Sequence, residues 1–426
     1  MIPIAPRGMR PPWLLSGPDA NWRPEPLSSH AARLGPVPAS GRRLIEEIEK
    51  AGLRGRGGAG FPVAVKWKAV ADRSHGRAAL IVNGAEGEPL SLKDHLLLAS
   101  RPHLVLDGAQ LAAQSVGARE VYLYVGRHHP AAMRSLEQAV RERGGLAGLD
   151  VELVEAPVRF VAGEETAAVR LVNGGEAKPT GVPPRPFEQG VKGRPTLVNN
   201  VETLAQAALI ARYGSEWFRS AGTAETPGTM LVTVAGQVAA PGVHEVDATT
   251  RIGDVIAPKP GHTRGPLLLG GYFGSWVRGS DAAELTFDSA QLAGRGLKLG
   301  AGVLFTLAAG DCGVAATARI VGYLAGESAR QCGPCQFGLA DLSRLLSLLA
   351  EGRGRSVKAG QLERWIGQLS GGRGACHHPD GALGLIRSAI AVFSDDFEAH
   401  LRRGACAAAF HDTGLPVGLG PQAPWR

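Results

Sequence analysis

"AALIVNGAEGEP", residues 78–89, is a short apolar run that stops at Asn83 and opens into a turn carrying two glutamates. A short run of this kind, closed by Asn-Gly, reads as a strand. Its neighbours share the pattern. "EVYLYVG" (120–126) and "VELVEA" (151–156) are further strand-like pieces, and "LDGAQLAAQSVG" (106–117) and "AAMRSLEQAVRERG" (131–144) have helical periodicity. Upstream, "GRRLIEEIEKAGL" puts Leu44, Ile45 and Ile48 on one helical face. Strands alternating with helices predict an α/β domain on a mainly parallel sheet, over residues 41–225. Residues 1–40, Pro-rich and unpatterned, are expected to form an extended arm.

The texture changes at "TAETPGTM" (223–230). "MLVTVAGQVAAPGVHEV" (230–246) alternates with period two about a Pro-Gly turn, the signature of a hairpin. "PLLLGG" and "GVLFTL" are strand-like, with a weak element at "RIGDVI", so a small β-rich domain is expected over 228–308. From 314 to 404 the pattern is helical. Apolar faces recur at Val314, Ile320 and Leu324; at Leu339, Leu342 and Leu346; at Leu362 and Ile366; and at Leu385, Ile390, Phe393 and Phe397. These faces predict a four-helix bundle. Residues 405–426 are expected to be a loose tail.

The chain has 426 residues, 44% hydrophobic and 20% charged, with 59 glycines, 29 prolines and a formal charge of +7. No run of five Lys or Arg occurs, so the charge favours anionic small ligands or an acidic partner protein over nucleic acid. No apolar stretch reaches the roughly 18 residues of a membrane span. The start, "MIPIAPRGMRPPWLL", has no apolar core of signal-peptide length, and five cysteines make no disulfide framework. A soluble, cytoplasmic protein is the expectation.

Five polar features remain. "LRGRGGAGFP" (53–62) contains Gly55-x-Gly57-x-x-Gly60, preceded by a helix and with no helix clearly opening from it, which is not the dinucleotide-binding context. Its glycines, with Arg54, Arg56 and Lys66, still suit an anion, and a plain surface turn is the alternative. "NGAEGEP" (83–89), "GEET" (163–166) and "NNVET" (199–203) offer carboxylates and amides beside turns. They can bind a cofactor, or simply cap helices, with Glu164 or Asn199 as the cap. "ESARQCGPCQFG" (327–338) holds Cys332 and Cys335, and Cys376 lies in "GGRGACHHPDG". Such a pair holds zinc, an iron–sulfur cluster, a redox disulfide or nothing. Cys312 and Cys406 are isolated and expected to be inert.

Taken together, "GLRGRGGAGFP…KW", "VNGAEGEP…KDH", "GEETA", "PTLVNNVETLA" and "ES…CGPC…G" resemble, in order, the flavin-binding, NADH-oxidising subunit of respiratory complex I and related hydrogenase and formate dehydrogenase diaphorases. The resemblance runs from about residue 44 to 404. It implies an FMN domain, a β-grasp middle domain of the SLBB kind and a helical iron–sulfur domain.

The site residues follow from the same resemblance. Gly55, Arg56, Gly57, Gly58 and Lys66 would hold the phosphate, and Asn83, Glu86, Gly163, Glu164, Asn199 and Asn200 would surround the flavin. Phe61 would meet the nicotinamide nucleotide, with Glu88 and Glu165 as catalytic carboxylates. Cys332, Cys335 and Cys376 would bind the metal. Electrons would pass from NAD(P)H to FMN to an iron–sulfur centre, and on to a ferredoxin-like or [2Fe-2S] partner.

The departures from the family pattern are specific. A carboxylate is lost at Ala85, a phenol at Phe160, two adenine-stacking rings at Ala69 and Arg185, a lysine at Val182 and the first cluster cysteine at Ala329. The cluster would then be a [4Fe-4S] with a non-cysteine fourth ligand (a His, Ser328 or water) or a [3Fe-4S]. A Cys₃His zinc site and a metal-free remnant remain open. So do nicotinamide-independent transfer between protein carriers and a zinc-bound or metal-free scaffold role.

Overall fold

The computed structural model describes residues 13–357, 360–417 and 424–425; the elements below lie within them. The first sheet contains β1 (Ala78–Gly84), β2 (Ala118–Gly126), β3 (Asp150–Ala156) and β4 (Thr196–Asn200), all parallel, in the order β3-β2-β1-β4. Around it lie α1 (Leu27–Leu34), α2 (Arg43–Ala51), α3 (Val63–Ser74), α4 (Lys93–Ser100), α5 (Pro102–Val116), α6 (Pro130–Glu142), α7 (Glu165–Val172) and α8 (Val201–Arg219). The run "AALIV" is buried on both sides because its alternate residues serve two cores. Ala78, Leu80 and Val82 join the helices of one face, while Ala79 and Ile81 pack with Tyr122, Tyr124 and Ala168 on the other.

The middle segment forms a mixed five-stranded sheet in the order β6-β5-β9-β7-β8. Its strands are β5 (Thr229–Gly236), β6 (Gly242–Asp247), β7 (Leu267–Leu269), β8 (Ser275–Val277) and β9 (Val303–Thr306). The expected hairpin is β5–β6, antiparallel across the Pro241-Gly242 turn, while β5 and β9 run parallel. Short helices α9 (Ile252–Val255), α10 (Gly279–Ala283) and α11 (Ser289–Gly294) cover one face. The other face presents Leu268, Trp276, Val303 and Phe305 to the C-terminal helices.

Those helices are α12 (Gly313–Gly326), α13 (Leu339–Ala350), α14 (Gln361–Leu369), α15 (His378–Val392) and α16 (Ser394–Arg402). The fourth amphipathic stretch is therefore two helices, broken at Phe393, so the described part is not a four-helix bundle. Phe393 turns in beneath Gly313, where its ring leaves no room for a Cβ.

The described parts of the expected extended arm and loose tail are both packed. Residues 13–40 contain α1 and are tied down by polar contacts that no apolar periodicity signals. The Leu14 and Leu15 amides donate to the buried Glu245 carboxylate at 2.9 Å each, and His30 meets Asp107 at 2.8 Å. At the other end Leu415 is buried, the Tyr272 hydroxyl donates to the Pro416 carbonyl (2.8 Å), and the Trp425 ring lies 3.9 Å from the Arg159 guanidinium carbon. Residues 1–12 of the arm, and 418–423 and 426 of the tail, lie outside the described residues.

Helices α5 and α8 cross at Gly108, where a Cβ would land on the Leu204 carbonyl. Backbone cannot move aside as a side chain does, so the crossing distance depends on that missing carbon. Gly108→Ala is expected to lower stability by about 2–3 kcal/mol, read as a lower denaturant midpoint at unchanged slope.

Candidate functional site

In this strand order the chain leaves β1 in opposite directions, to β2 and β3 on one side and to β4 on the other. Ligands of open parallel sheets bind at such a switch point, beyond the carboxyl ends of the strands. Here those ends are Asn83 and Asn200, paired in register. The "NGAEGEP" and "NNVET" stretches, over a hundred residues apart in sequence, therefore meet at one place. The glycine loop meets them too, for a Cβ on Gly57 would lie 3.4 Å from Asn200 Cβ.

The loop is held as a tight turn by Gly55 N–H donating to the Phe61 carbonyl (2.9 Å) and Val63 N–H to that of Leu53 (3.0 Å). Contrary to the sequence reading, a helix does open from it: α3 starts directly after Pro62. Proline suits a helix start because its missing N–H would be unpaired there anyway. Free amides at a helix N-terminus beside glycines suit a phosphate. A cleft of about 560 Å³ runs along Gly55, Gly58 and Gly60 on the loop's other side, towards Met230, Phe287 and Leu299 of the middle segment, and does not reach Asn83, Gly163 or Asn200. A Cβ on Gly163 would lie 3.5 Å from Ala85 Cβ and 4.0 Å from the Asn83 side-chain oxygen, so this glycine borders the β1 end of the site as Gly57 borders the β4 end. The residues present thus fit a flavin phosphate and its polar chain.

The predicted site residues divide by what holds them. Asn83 donates to the Gly163 carbonyl (2.8 Å), and Lys66 Nζ reaches Glu165 at 2.7 Å, so these four gather around the cradle. The buried Asn199 carbonyl oxygen accepts from Trp67 Nε1 (2.8 Å), which fixes it beneath the loop. The capping alternative is also realised. Glu164 caps α7 through the Thr166 and Ala167 amides, and the cap of α8 is Asn200, through the Glu202 and Thr203 amides, rather than Asn199.

Arg56 contributes backbone to the loop, but its guanidinium turns away onto the Thr229 carbonyl (2.9 Å), with Nε 3.9 Å from Glu202. It is not presented to a phosphate. Glu86, at φ +45°, accepts from Ser91 Oγ (2.6 Å) and from the Asp94 and His95 amides (3.0 and 2.8 Å). It therefore braces the turn. Glu88 lies against the middle sheet, accepting from Tyr272 N–H at 2.8 Å, and burial pushes its carboxyl up to about 7. Phe61 stands half exposed, its ring free for stacking.

Sequence reasoning missed the ions beneath this cradle. Lys93 Nζ is buried between Asp94 (2.7 Å) and Glu202 (2.9 Å), and Asp94 accepts from Asn200 Nδ2 (2.6 Å). Burial alone would discharge Lys93; Asp94, Glu202 and Glu86 outweigh it and raise its pKa. The available signal was "KDH", a Lys-Asp pair opening an otherwise apolar helix.

The thiols come from the other end of the molecule. Cys332 precedes and Cys335 lies within a π-turn, Pro334–Gly338, that leads into α13; Cys376 lies just before α15. Burial pushes Cys335 up to about 12, with Cys332 and Cys376 adding to the effect, and pushes Cys376 up to about 11. A cation must therefore drive deprotonation. Zinc requires its thiolates about 4 Å apart. Among the described residues the tight metal-ligand group, with ligand atoms within 4.8 Å of one another, is a different one (Cys312, His400 and Cys406). Cys332 lies within hydrogen-bond reach of Cys335, and Cys376 is near enough to raise its pKa, so the three thiols converge on one place.

Ala329 supplies no donor at the fourth corner. The buried Ser328 hydroxyl, which accepts from Arg330 N–H (3.1 Å), adjoins Cys335. His378 directs Nε2 to the Leu324 carbonyl (2.8 Å), while its buried Nδ1 has no hydrogen-bond partner.

The two sets of residues adjoin. Glu327 accepts from Phe160 N–H at 2.8 Å and pairs with Arg159 at 3.3 Å. The Phe160 ring lies 4.6 Å from that of Phe273 and 5.8 Å from that of His378. Glu164 is close enough to Cys376 to oppose its ionisation. A phosphate cradle at a switch point, with three thiols against its wall, one buried and two partly exposed, is the arrangement of an electron-transfer flavoprotein that carries an iron–sulfur centre.

Comparison with known proteins makes this specific. Residues 48–209 match the Nuo51 FMN-binding domain, and 315–400 match the NADH-ubiquinone oxidoreductase-F iron-sulfur binding region. The chain is similar to the second F-type NADH-quinone oxidoreductase chain of Rhizobium meliloti, at 31% identity over 85% of this chain and 90% of the relative. The F-type NADH-quinone oxidoreductase chain of Aquifex aeolicus is 33% identical over 74% of this chain and 75% of its own length. Among solved structures, a NAD⁺-reducing [NiFe]-hydrogenase chain superposes with a TM-score of 0.76 at 29% identity. That match covers 87% of this chain and 64% of the hydrogenase chain, so this protein spans under two thirds of that chain's length. The chain belongs to the family of F-type NADH-quinone oxidoreductase subunits. It is accordingly an oxidoreductase that uses FMN and an iron–sulfur centre. Among the described residues no helix is long and apolar enough to cross a membrane.

Gly57→Val tests the cradle. Its branched side chain would fill the space next to Asn200, so the folded variant is expected to be purified without flavin. Flavin content is measured by absorbance after release, with circular dichroism to confirm folding. Normal flavin in a folded Gly57→Val protein would take this loop out of the site.

Proposed function

We propose that the chain oxidises a reduced nicotinamide nucleotide at an FMN seated at the switch point, and sends the electrons to a cluster on Cys332, Cys335 and Cys376. The observation that carries this reading is the contact between the cradle and the thiols, through Phe160, Glu164, Glu327 and His378. Bound FMN would supply the conversion of a two-electron donor into single electrons. The protein's part is placement. Gly55, Gly57, Gly58 and Lys66 take the phosphate, and Asn83, Gly163, Glu164, Asn199 and Asn200 hold the rest of the flavin. Glu165 orients Lys66, and Glu86 stiffens the turn that carries Glu88. Phe61 and Glu88 face the nicotinamide nucleotide.

The division into 41–225, 228–308 and 314–404 follows from these roles, and the parallel pairing of β5 with β9 supports an SLBB-like β-grasp for the middle unit. The cluster is a [4Fe-4S] with a non-cysteine ligand on one iron, or a [3Fe-4S]. The acceptor is a ferredoxin-like or [2Fe-2S] partner protein in the cytoplasm.

A second reading, electron exchange between protein carriers without a nicotinamide, is favoured by one feature. Ala69, Val182 and Arg185 leave the adenine end without rings or lysine, and each lost stacking contact is worth about 1 kcal/mol. Arg185 offers charge there instead, which suits a 2′-phosphate. Anaerobic stopped-flow bleaching of the flavin by NADH and by NADPH separates the readings. If a nicotinamide binds, Glu88 imposes a pH dependence. Below its pKa of about 7 the carboxyl is neutral, and above it the buried anion repels the pyrophosphate. Affinity should therefore fall about tenfold between pH 6 and 8, and Glu88→Gln should flatten the profile. A flat profile in the native protein would remove Glu88 from the nucleotide site, and no bleaching at all by either nucleotide would select the second reading.

Residue 329 tests the other end. An iron without a thiolate is readily lost to oxygen, so Ala329→Cys should raise iron and sulfide towards four each (the content of a complete cubane, about 4 per chain) and make the cluster resistant to air. It should also lower the reduction potential, because a thiolate adds negative charge next to iron. One zinc, no sulfide and no visible absorption beyond that of the flavin in either protein would replace the cluster by a zinc site.

A further inference from the structure

Cys312 and Cys406, unremarkable in sequence, are brought together with His400. Their ligand atoms all lie within 4.8 Å of one another. We propose that Cys312, His400 and Cys406 form a second metal site, for zinc by its donors, which clamps the C-terminal segment to the helical domain. This inference is independent of the flavin reading.

The imidazole is set for ligation. His400 Nδ1 lies 2.9 Å from the Leu349 carbonyl, which can only accept, so Nδ1 carries the proton and Nε2 is the unprotonated nitrogen, with only a long contact (3.4 Å) from the Cys406 amide. That nitrogen also faces sulfur, with Cys312 Sγ 3.4 Å away. A histidine whose second nitrogen donates to a backbone carbonyl is the usual arrangement behind a metal. Bond lengths of about 2.3 Å to sulfur and about 2.0 Å to nitrogen give a tetrahedral edge of about 3.5 Å, which the observed separation matches. Cys312 caps α12, and its sulfur accepts from Ala315 N–H at 3.4 Å. Cys312 and His400 are buried while Cys406 is exposed. Water from that side completes the tetrahedron. Two sulfurs and an imidazole are soft donors that select zinc over calcium or magnesium. Binding releases two thiol protons and leaves the oxidation state of the metal unchanged.

The site is separate from the cluster. Cys312 stands at the start of α12 and Cys332 beyond its end, about 20 Å of helix away. Its effect would be on the segment after Cys406, where Leu415 is buried and Pro416 accepts from Tyr272. That tyrosine's amide in turn holds Glu88.

The test uses the full-length holoprotein, produced with added zinc and isolated without reductant. Elemental analysis of the native protein and the Cys376→Ser variant should each give one zinc, because only the cluster is affected in the latter. Cys406→Ser, an exposed substitution, should lose that zinc while keeping flavin and iron. In native protein whose zinc has been exchanged for cobalt(II), a thiolate-to-cobalt charge-transfer band should appear, and Cys406→Ser should lack it. Equal zinc in native and Cys406→Ser proteins, no zinc in the native protein, or a Cys312–Cys406 disulfide in its digest would each overturn the proposal.

Discussion

The buried ammonium of Lys93 is the constraint on which the site's geometry rests. A lone charge at that depth would be driven to neutrality, so Lys93 requires Asp94 and Glu202, and they require it. Each partner has a second duty. Asp94 holds the Asn200 amide that caps α8, and Glu202 accepts from Leu231 N–H (2.9 Å) at the start of the middle sheet. Arg56, last residue of this chain of contacts, returns to the glycine loop through the Thr203 hydroxyl (2.9 Å to its amide). One ionic knot thus sets the loop, the switch-point asparagines and the middle sheet relative to one another. Breaking such a pair from one side costs about 3–5 kcal/mol, because the other charge is left buried. That makes the knot a device for placement, which an apolar contact of equal strength would not provide.

The middle sheet has a part that its size conceals. One of its faces serves its own core and the other serves the C-terminal helices. Its Gly271–Gly274 turn also presents the Tyr272 amide to Glu88 and the Phe273 ring to Phe160 and His378. The sheet is the spacer that brings a cradle built near residues 57–200 against thiols at 332–376. Electron transfer needs that proximity, and no single domain supplies it.

Much of the fold was legible because burial imposes periodicity. The strands at 78, 120 and 151, the hairpin about Pro241-Gly242 and the amphipathic helices all show the pattern that their packing demands. Legibility failed where polar groups do the holding. The segment 13–40 looked unstructured because its anchors are Glu245, Asp107 and backbone amides, which carry no period. Arg56 looked like a phosphate ligand because charge beside glycine is all that a local reading can register, whereas its guanidinium answers to Glu202 and Thr229. Lys93 was passed over because a lysine at a helix start is ordinarily a solvated one.

By itself the sequence determined the local elements, the glycine loop, the order of the motifs and the positions of the close thiols, since each depends on residues near one another in the chain. Tertiary structure decided which of these meet. Asn83 pairs with Asn200 only because β1 and β4 are neighbours in the sheet, and Cys312 reaches His400 and Cys406 only because α16 folds back across the start of α12. Side-chain direction followed the same rule: the burial of a charge and the partner that offsets it are properties of the packed molecule, not of the residue or its neighbours in sequence.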